Sequence, residues 1–176
     1  FTAPLASLTT DAGGLATVIT GGVVTTSGAQ SYGEAVTLGG GTTLTSTGGG
    51  IISFASTIDG ANPLTVDARA GTFSVVGAIG GGTALTGLDA TADTIAIDTV
   101  NSAGAVTLTT DNIAFSAITA PGQIVTIQTR TAGREIALAS DPGGLQLSAS
   151  EVNSVTADTL RIGRNDGTAS GAITIF

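Results

Sequence analysis

The sequence predicts an all-β chain wound as a parallel β-solenoid, a right-handed β-helix of about 20 residues per coil and roughly eight coils. Three observations carry this. Short apolar–small–apolar triplets recur along the chain, two phase-locked series of apolar residues share one period, and no window has the 3.6-residue rhythm of a helix.

The triplets include Val36-Thr37-Leu38, Ile52-Ser53-Phe54, Leu64-Thr65-Val66, Phe73-Ser74-Val75, Ile95-Ala96-Ile97, Val106-Thr107-Leu108, Val125-Thr126-Ile127 and Ile173-Thr174-Ile175. Each has the period-2 alternation of a strand, with two large residues on one face and a small or polar one on the other. Glycine-rich runs such as Gly39-Gly40-Gly41, Gly48-Gly49-Gly50 and Gly80-Gly81-Gly82 separate them and read as corners. The first series is Leu5, Val24, Leu44, Leu64, Leu85, Val106, Val125 and Leu145, with gaps of 19, 20, 20, 21, 21, 19 and 20 residues. The second is Val36, Ile52, Phe73, Ile95, Ile113, Ile136 and Leu160. A meander has no reason to keep alternate strands in phase, whereas a solenoid must stack its apolar residues on the coil below.

Composition agrees and excludes much else. Of 176 residues, 27 are Gly and 31 are Thr; Cys, Met, Trp, His and Lys are absent, and all five basic residues are Arg. Without His or Cys there is no usual zinc site, no Ser–His or Cys nucleophile system and no redox pair. Without Lys there is no Schiff base and no P-loop. A net charge of −8 with 3% aromatics gives neither the charge nor the stacking platforms for nucleic acid. No apolar run is long enough for a membrane-spanning helix. No cofactor is expected.

The chain reads as one domain over residues 1–176, with regular coils over 1–120 and less regular ones over 121–176, where Arg130, Arg134, Arg161 and Arg164 lie and the loop from Ser148 to Asp158 is longer. It is expected to be a segment of a longer chain or fibre. The residues at its two ends, Leu5 and Leu8, then Ile173, Ile175 and Phe176, are apolar without a capping pattern. Open strand edges pair readily, so stacking end to end on itself or on adjacent coils is expected there.

Residues Val24 to Leu38 (Val-Thr-Thr-Ser-Gly-Ala-Gln-Ser-Tyr-Gly-Glu-Ala-Val-Thr-Leu) resemble repeats of filamentous-haemagglutinin-like exoproteins of Gram-negative bacteria. Thr43 to Gly50 with the turn Ile58-Asp59-Gly60-Ala61, and Thr159 to Gly163 with Gly171 to Ile175, are similar to further elements of these large chains. The resemblance implies a non-enzymatic rod at the outer cell surface or in the extracellular medium. It would serve adhesion, biofilm or an extracellular scaffold, with host or matrix glycans as partners. The family has no catalytic motif to carry over.

Two side-chain patterns are candidate sites. Thr25, Thr45, Thr65, Thr86, Thr107 and Thr126 each follow an apolar strand residue and are expected to form one outward column. Such a column is either an array for a regular surface such as ice or simply what strand propensity and cross-strand Thr pairing produce. An ice-binding face would want a second column two residues away, where Thr47, Asp67, Thr109, Gln128 and Ser148 are mixed. Asp67, Asp89 and Asp111, with Arg130 aligned with Asp111, are candidates for a metal or for carbohydrate chemistry, against ordinary turn and surface electrostatics. Tyr32, the only tyrosine, is placed in a turn as a possible contact residue.

Overall fold

A computed structural model describes residues 5–138, 144–164 and 167–175, and the chain it describes is a parallel β-solenoid of about six turns. The first strands are β1 (Leu8–Thr9), β2 (Thr17–Ile19) and β3 (Gly22–Thr26). The next coil adds β4 (Gln30–Tyr32), β5 (Val36–Leu38) and β6 (Thr42–Ser46), and the one after it β7 (Ile52–Phe54), β8 (Ile58–Asp59) and β9 (Pro63–Asp67). Then come β10 (Thr72–Val75), β11 (Gly87–Thr91), β12 (Thr94–Ile97), β13 (Thr99–Asn101), β14 (Val106–Thr109) and β15 (Asn112–Ala114). The long β16 (Ala117–Gln128) closes the regular part.

These strands form three faces. The first is β3-β6-β9-β11-β14-β16 and the second β1-β4-β7-β10-β12-β15. The third is β2-β5-β8, continued by bridges from Ile58 to Ile79 and from Ile79 to Val100, and then by β13 on the start of β16. With three strands and three corners per coil, Leu8, Gln30, Ile52, Phe73, Ile95 and Ile113 stack at steps of 22, 22, 21, 22 and 18 residues. Most of these coils are longer than the 20 residues expected, which is one reason the expected eight coils become about six.

The second apolar series is therefore right for Ile52, Phe73, Ile95 and Ile113, but its neighbour in register is Gln30, whereas Val36 belongs to the third face beside Ile58. Leu160 stands on the first face, paired with Val125. In the first series, Leu44 pairs with Val66 rather than Leu64, and Leu64 pairs with Leu88. Sliding by two residues keeps the same side chains pointing inward, so hydrophobic pattern fixes parity but not register. Leu85 is a buried corner residue bridged to Ser102.

The core is a column of Leu, Ile, Val and Phe, with Leu44, Ile52, Phe73, Ile79, Leu85, Ile95 and Ile118 fully buried. Each such side chain contributes about 1.5–3 kcal/mol of burial. Tyr32 is part of it: only 1% exposed, it stacks on Phe54 with ring centroids 4.5 Å apart, and Phe54 meets Phe73 edge-on at 6.3 Å. The expected turn position for Tyr32 is thus corrected, because Gln30-Ser31-Tyr32 is a strand whose alternate residues face inward. Buried Gln30 satisfies the phenol: the Tyr32 hydroxyl donates to Gln30 Oε1 at 3.0 Å, while Gln30 Nε2 donates to the carbonyls of Thr45 (3.0 Å) and Val24 (3.3 Å). This ties the second face to the first across the interior.

Burial pushes the Tyr32 phenol up to about 12. Its ordinary value is about 10. The folded state holds the proton more tightly, so the stabilisation is present below pH 10 and is lost as pH rises from about 10 to 12. With one Tyr, no Lys and no Cys, nothing else of comparable pKa competes in that window except the arginines. Denaturation midpoints of the wild-type chain should fall by the equivalent of about 2 kcal/mol across it, and Tyr32→Phe should flatten that slope.

Beyond β16 the winding departs from the regular pattern. β17 (Ile136–Leu138) pairs on one side with β18 (Leu145–Leu147) and on the other with β20 (Ile173–Ile175), and β18 lies beside β15. The expected loop from Ser148 to Asp158 holds a helix, α1 (Ala149–Asn153), and the start of β19 (Val155–Ile162). The helix begins at a capping box: Ser148 Oγ accepts from the Glu151 amide, and the Glu151 carboxylate accepts from the Ser148 amide at 2.8 Å. β19 pairs with β16 along both of its halves, with an irregularity between Ala120 and Ile124 at Pro121-Gly122.

Candidate functional site

The first face places side chains in register across five strands, β3, β6, β9, β11 and β14. Outward residues alternate with the buried ones, so each strand presents two positions two residues apart. One file runs Val23, Thr43, Thr65, Asp89, Thr107 and on to Thr126. The second runs Thr25, Thr45, Asp67, Thr91, Thr109 and Gln128.

The single threonine column expected from spacing thus resolves into two files. Thr25 and Thr45 are neighbours in one, and Thr65, Thr107 and Thr126 lie in the other. The two-residue slide between β6 and β9 separates them. Thr86 belongs to neither, since it sits in an exposed bend before β11 and Asp89 takes the place between Thr65 and Thr107. Thr43 and Thr91 complete the files. Their signal was the i, i+2 pairing in Thr43-Leu44-Thr45 and Asp89-Ala90-Thr91, which shows once the central residue is recognised as buried. Thr126 is buried where Arg161 of β19 pairs beside it.

Elsewhere, threonine hydroxyls are spent on the backbone. Thr26 donates to the Gly28 carbonyl (2.7 Å), Thr42 to that of Gly40 (3.0 Å) and Thr110 to that of Asn112 (2.8 Å). Among the described residues, the hydroxyls of Thr25, Thr43, Thr45, Thr65, Thr91 and Thr107 make no hydrogen bond within the protein. Thr109 Oγ1 accepts from Gln128 Nε2 at 2.9 Å, which leaves its own proton free to donate.

The three candidate aspartates are not gathered. Asp67 and Asp89 stand on adjacent strands but in different files, each between threonines, and Asp67 lies 3.9 Å from exposed Arg69. Partial burial raises the Asp89 carboxyl above its ordinary value. Asp111 occupies the corner after β14, away from the other two. Among the described residues no three carboxylates come close enough to hold a metal ion.

Asp111 instead anchors the irregular end. Its carboxylate accepts from the Thr131 amide at 2.9 Å and from the Thr131 hydroxyl, with Arg134 Nε at 3.8 Å and Arg130 Nη2 at 4.0 Å. The alignment expected between Asp111 and Arg130 is present, but Arg130 is nearer to Asp93, at 3.2 Å, a residue the sequence pattern did not single out. Burial pushes the Asp111 carboxyl up, but the two Thr131 hydrogen bonds and the charges of Arg134 and Arg130 outweigh it and hold the group below its ordinary value. The stabilisation is therefore present above the unfolded carboxylate value, about 3.9, and disappears as pH falls through the lower folded value. Asp111→Asn should cost about 1.5–3 kcal/mol, the worth of hydrogen bonds to a charged group, and should blunt the acid sensitivity of the wild-type chain in denaturant titrations.

The end residues are placed as follows. Leu5 is half exposed and bridges Thr26, whereas Leu8 packs partly into the core from β1. Ile173 and Ile175 lie in β20, 45% and 75% exposed. Phe176 lies outside the described residues. The first turns also expose Leu15, Val18 and Val23. No helix among the described residues is long and apolar enough to cross a membrane. Compared with family models, curated proteins and solved structures, the chain matches none of them.

Proposed function

We propose that this solenoid is a non-enzymatic structural rod of a filamentous-haemagglutinin-like adhesin, at the surface of a Gram-negative bacterium or secreted from it, serving adhesion, biofilm or an extracellular scaffold. The observation that carries the reading is the stacking of three parallel sheets over one continuous apolar column, which makes each coil a spacer that rests on the next. Absence of His, Lys and Cys weighs against catalysis by the commoner general-base, Schiff-base and thiolate routes. Its acidic flanks, with a net charge of −8, discourage lateral aggregation of such rods. Glycans of a host or matrix are the partners this role implies.

Immunogold labelling of intact source cells with an antibody to the chain tests the reading. Gold along surface fibres or in shed extracellular material is the expected result; gold confined to the cytoplasm of sectioned cells overturns it.

A second reading, growth of a filament by axial stacking of copies, is favoured by the end strand β2 at one edge, which pairs with β5 alone among the described strands, and by β20 at the other, which pairs with β17 alone and exposes Ile173 and Ile175. Electron microscopy of the purified chain at rising concentration decides it: fibres that lengthen with concentration support stacking, and rods of constant length exclude it.

A further inference from the structure

Where β15 meets β18 the second face has a seam, and the seam holds a polar cavity. From its lining we infer a binding site for a sugar acid, a single ring that carries hydroxyls and a carboxylate.

β15 and β18 lie side by side. Yet β15 ends the six-stranded second face while β18 begins a separate sheet with β17 and β20, so no backbone ladder joins the two. The Asn112 amide donates to the Asp93 carbonyl at 3.0 Å, on the side of β12, and alternation turns the amide and carbonyl of Ile113 toward β18. The Leu145 amide donates to the Glu135 carbonyl at 2.8 Å, on the side of β17, which turns those of Gln146 toward β15. Peptide groups that elsewhere in the rod bind the next rung here border a gap.

The gap is a cavity of about 310 Å³ lined by Asn112, Ile113, Arg134, Gly144 and Gln146. Ligand sites take about 300–1,000 Å³, so this one has room for one ring and not for a chain. Arg134 is the one charged residue of the lining, and the protein does not use it up. Its Nη2 donates to the Gly144 carbonyl at 3.1 Å, and its Nε is buried 3.8 Å from Asp111 without a hydrogen bond. Among the described residues no hydrogen bond occupies Nη1. Buried donors without a partner are uncommon, and a guanidinium with unspent donors is the group that carboxylates bind.

The other walls suit hydroxyls. The exposed Gln146 side chain makes no hydrogen bond among the described residues, so it offers two donors and an acceptor. Asn112 directs Nδ2 to Asp93 at 3.4 Å and keeps Oδ1 to accept. Hydroxyls both donate and accept, which matches such mixed walls, and half-buried Ile113 gives the C–H face of a ring an apolar rest. A bare anion leaves the amides unused, and a neutral sugar leaves Nη1 unused. The choice of a sugar to carry the carboxylate rests on the surface-rod reading above; the cavity does not.

Titration of the intact, isotope-labelled chain with D-glucuronate, followed by amide NMR, tests the site. Saturable shifts of the Ile113 and Gln146 signals are expected. D-glucose, without the carboxylate, and acetate, without the ring, should each bind about tenfold more weakly. Gln146→Ala should weaken glucuronate binding about two- to tenfold, the equivalent of one neutral hydrogen bond, and Arg134→Gln should abolish it. Absence of saturable shifts at these residues overturns the inference, as does binding of glucose or acetate as tight as that of glucuronate. If Arg134→Gln fails to fold, Gln146→Ala decides, since wild-type affinity in that variant overturns the site. Glucuronate binding combined with gold confined to the cytoplasm overturns the rod and leaves the site standing; surface gold without binding does the reverse.

Discussion

Phe73→Ala should lower the unfolding free energy by about 3–5 kcal/mol, the usual cost of emptying a fully buried aromatic site. Phe73 has no exposed surface, stands in register between Ile52 and Ile95, and meets the Phe54 ring edge-on at 6.3 Å. The backbone around it is held on both sides by parallel ladders, so the rungs have little room to collapse into the space. In a solenoid each coil is stabilised by its two interfaces, so the damage falls on both neighbours and should also split the transition. Chemical denaturation followed by circular dichroism should therefore show a lower midpoint and a broader, less cooperative curve. Ser74→Ala, one residue along and pointing outward, should stay within about 0.5 kcal/mol of wild type.

Gly60→Ala should be nearly as costly, for a reason unrelated to hydrophobicity. Gly60 has φ of +126°, and a Cβ there would lie 2.4 Å from the Leu38 carbonyl oxygen of the coil below. The neighbouring Asn62 side chain donates to the same carbonyl at 2.8 Å, and the Gly60 amide donates to Thr83 O at 3.2 Å. A side chain at this corner has to combine a backbone conformation costing about 1–3 kcal/mol with displacement of a fixed carbonyl, for a total of about 2–4 kcal/mol. Gly13→Ala serves as the control, because no atom lies within 4 Å of a Cβ at that position and its φ is not in the left-handed region. Thermal melts of the two variants should differ by several degrees.

The same corner shows why the architecture was legible in the sequence and the register was not. Triplets such as Ile52-Ser53-Phe54 and Phe73-Ser74-Val75 announce strands with one buried face, and their recurrence announces stacking; both features are present. Whether Leu44 meets Leu64 or Val66 depends on how many residues the corner Gly60-Ala61-Asn62 absorbs, which is a matter of backbone conformation and one amide hydrogen bond. The threonine face inherits that uncertainty, which is why one expected column became two and why Thr86 fell off the sheet. Gln30 and Tyr32 were obscured for a different reason. Polar side chains read as surface until a partner is known, and theirs are each other and two carbonyls from a different face. The Ser148-to-Glu151 spacing, by contrast, was a readable helix-start signal that the surrounding strand rhythm overshadowed.

The placement of β18 beneath β17 bears on how such a rod assembles. Ile136 pairs with Leu145 only nine residues away, whereas neighbouring strands of the regular coils are separated by about one full winding, as with Ile52 and Phe73. Closing the shorter loop costs roughly 0.8 kcal/mol less chain entropy. Short-range contacts of this kind form early. The ladder can therefore nucleate at the carboxyl-terminal end and offer its edges as a template, onto which more distant windings add one at a time.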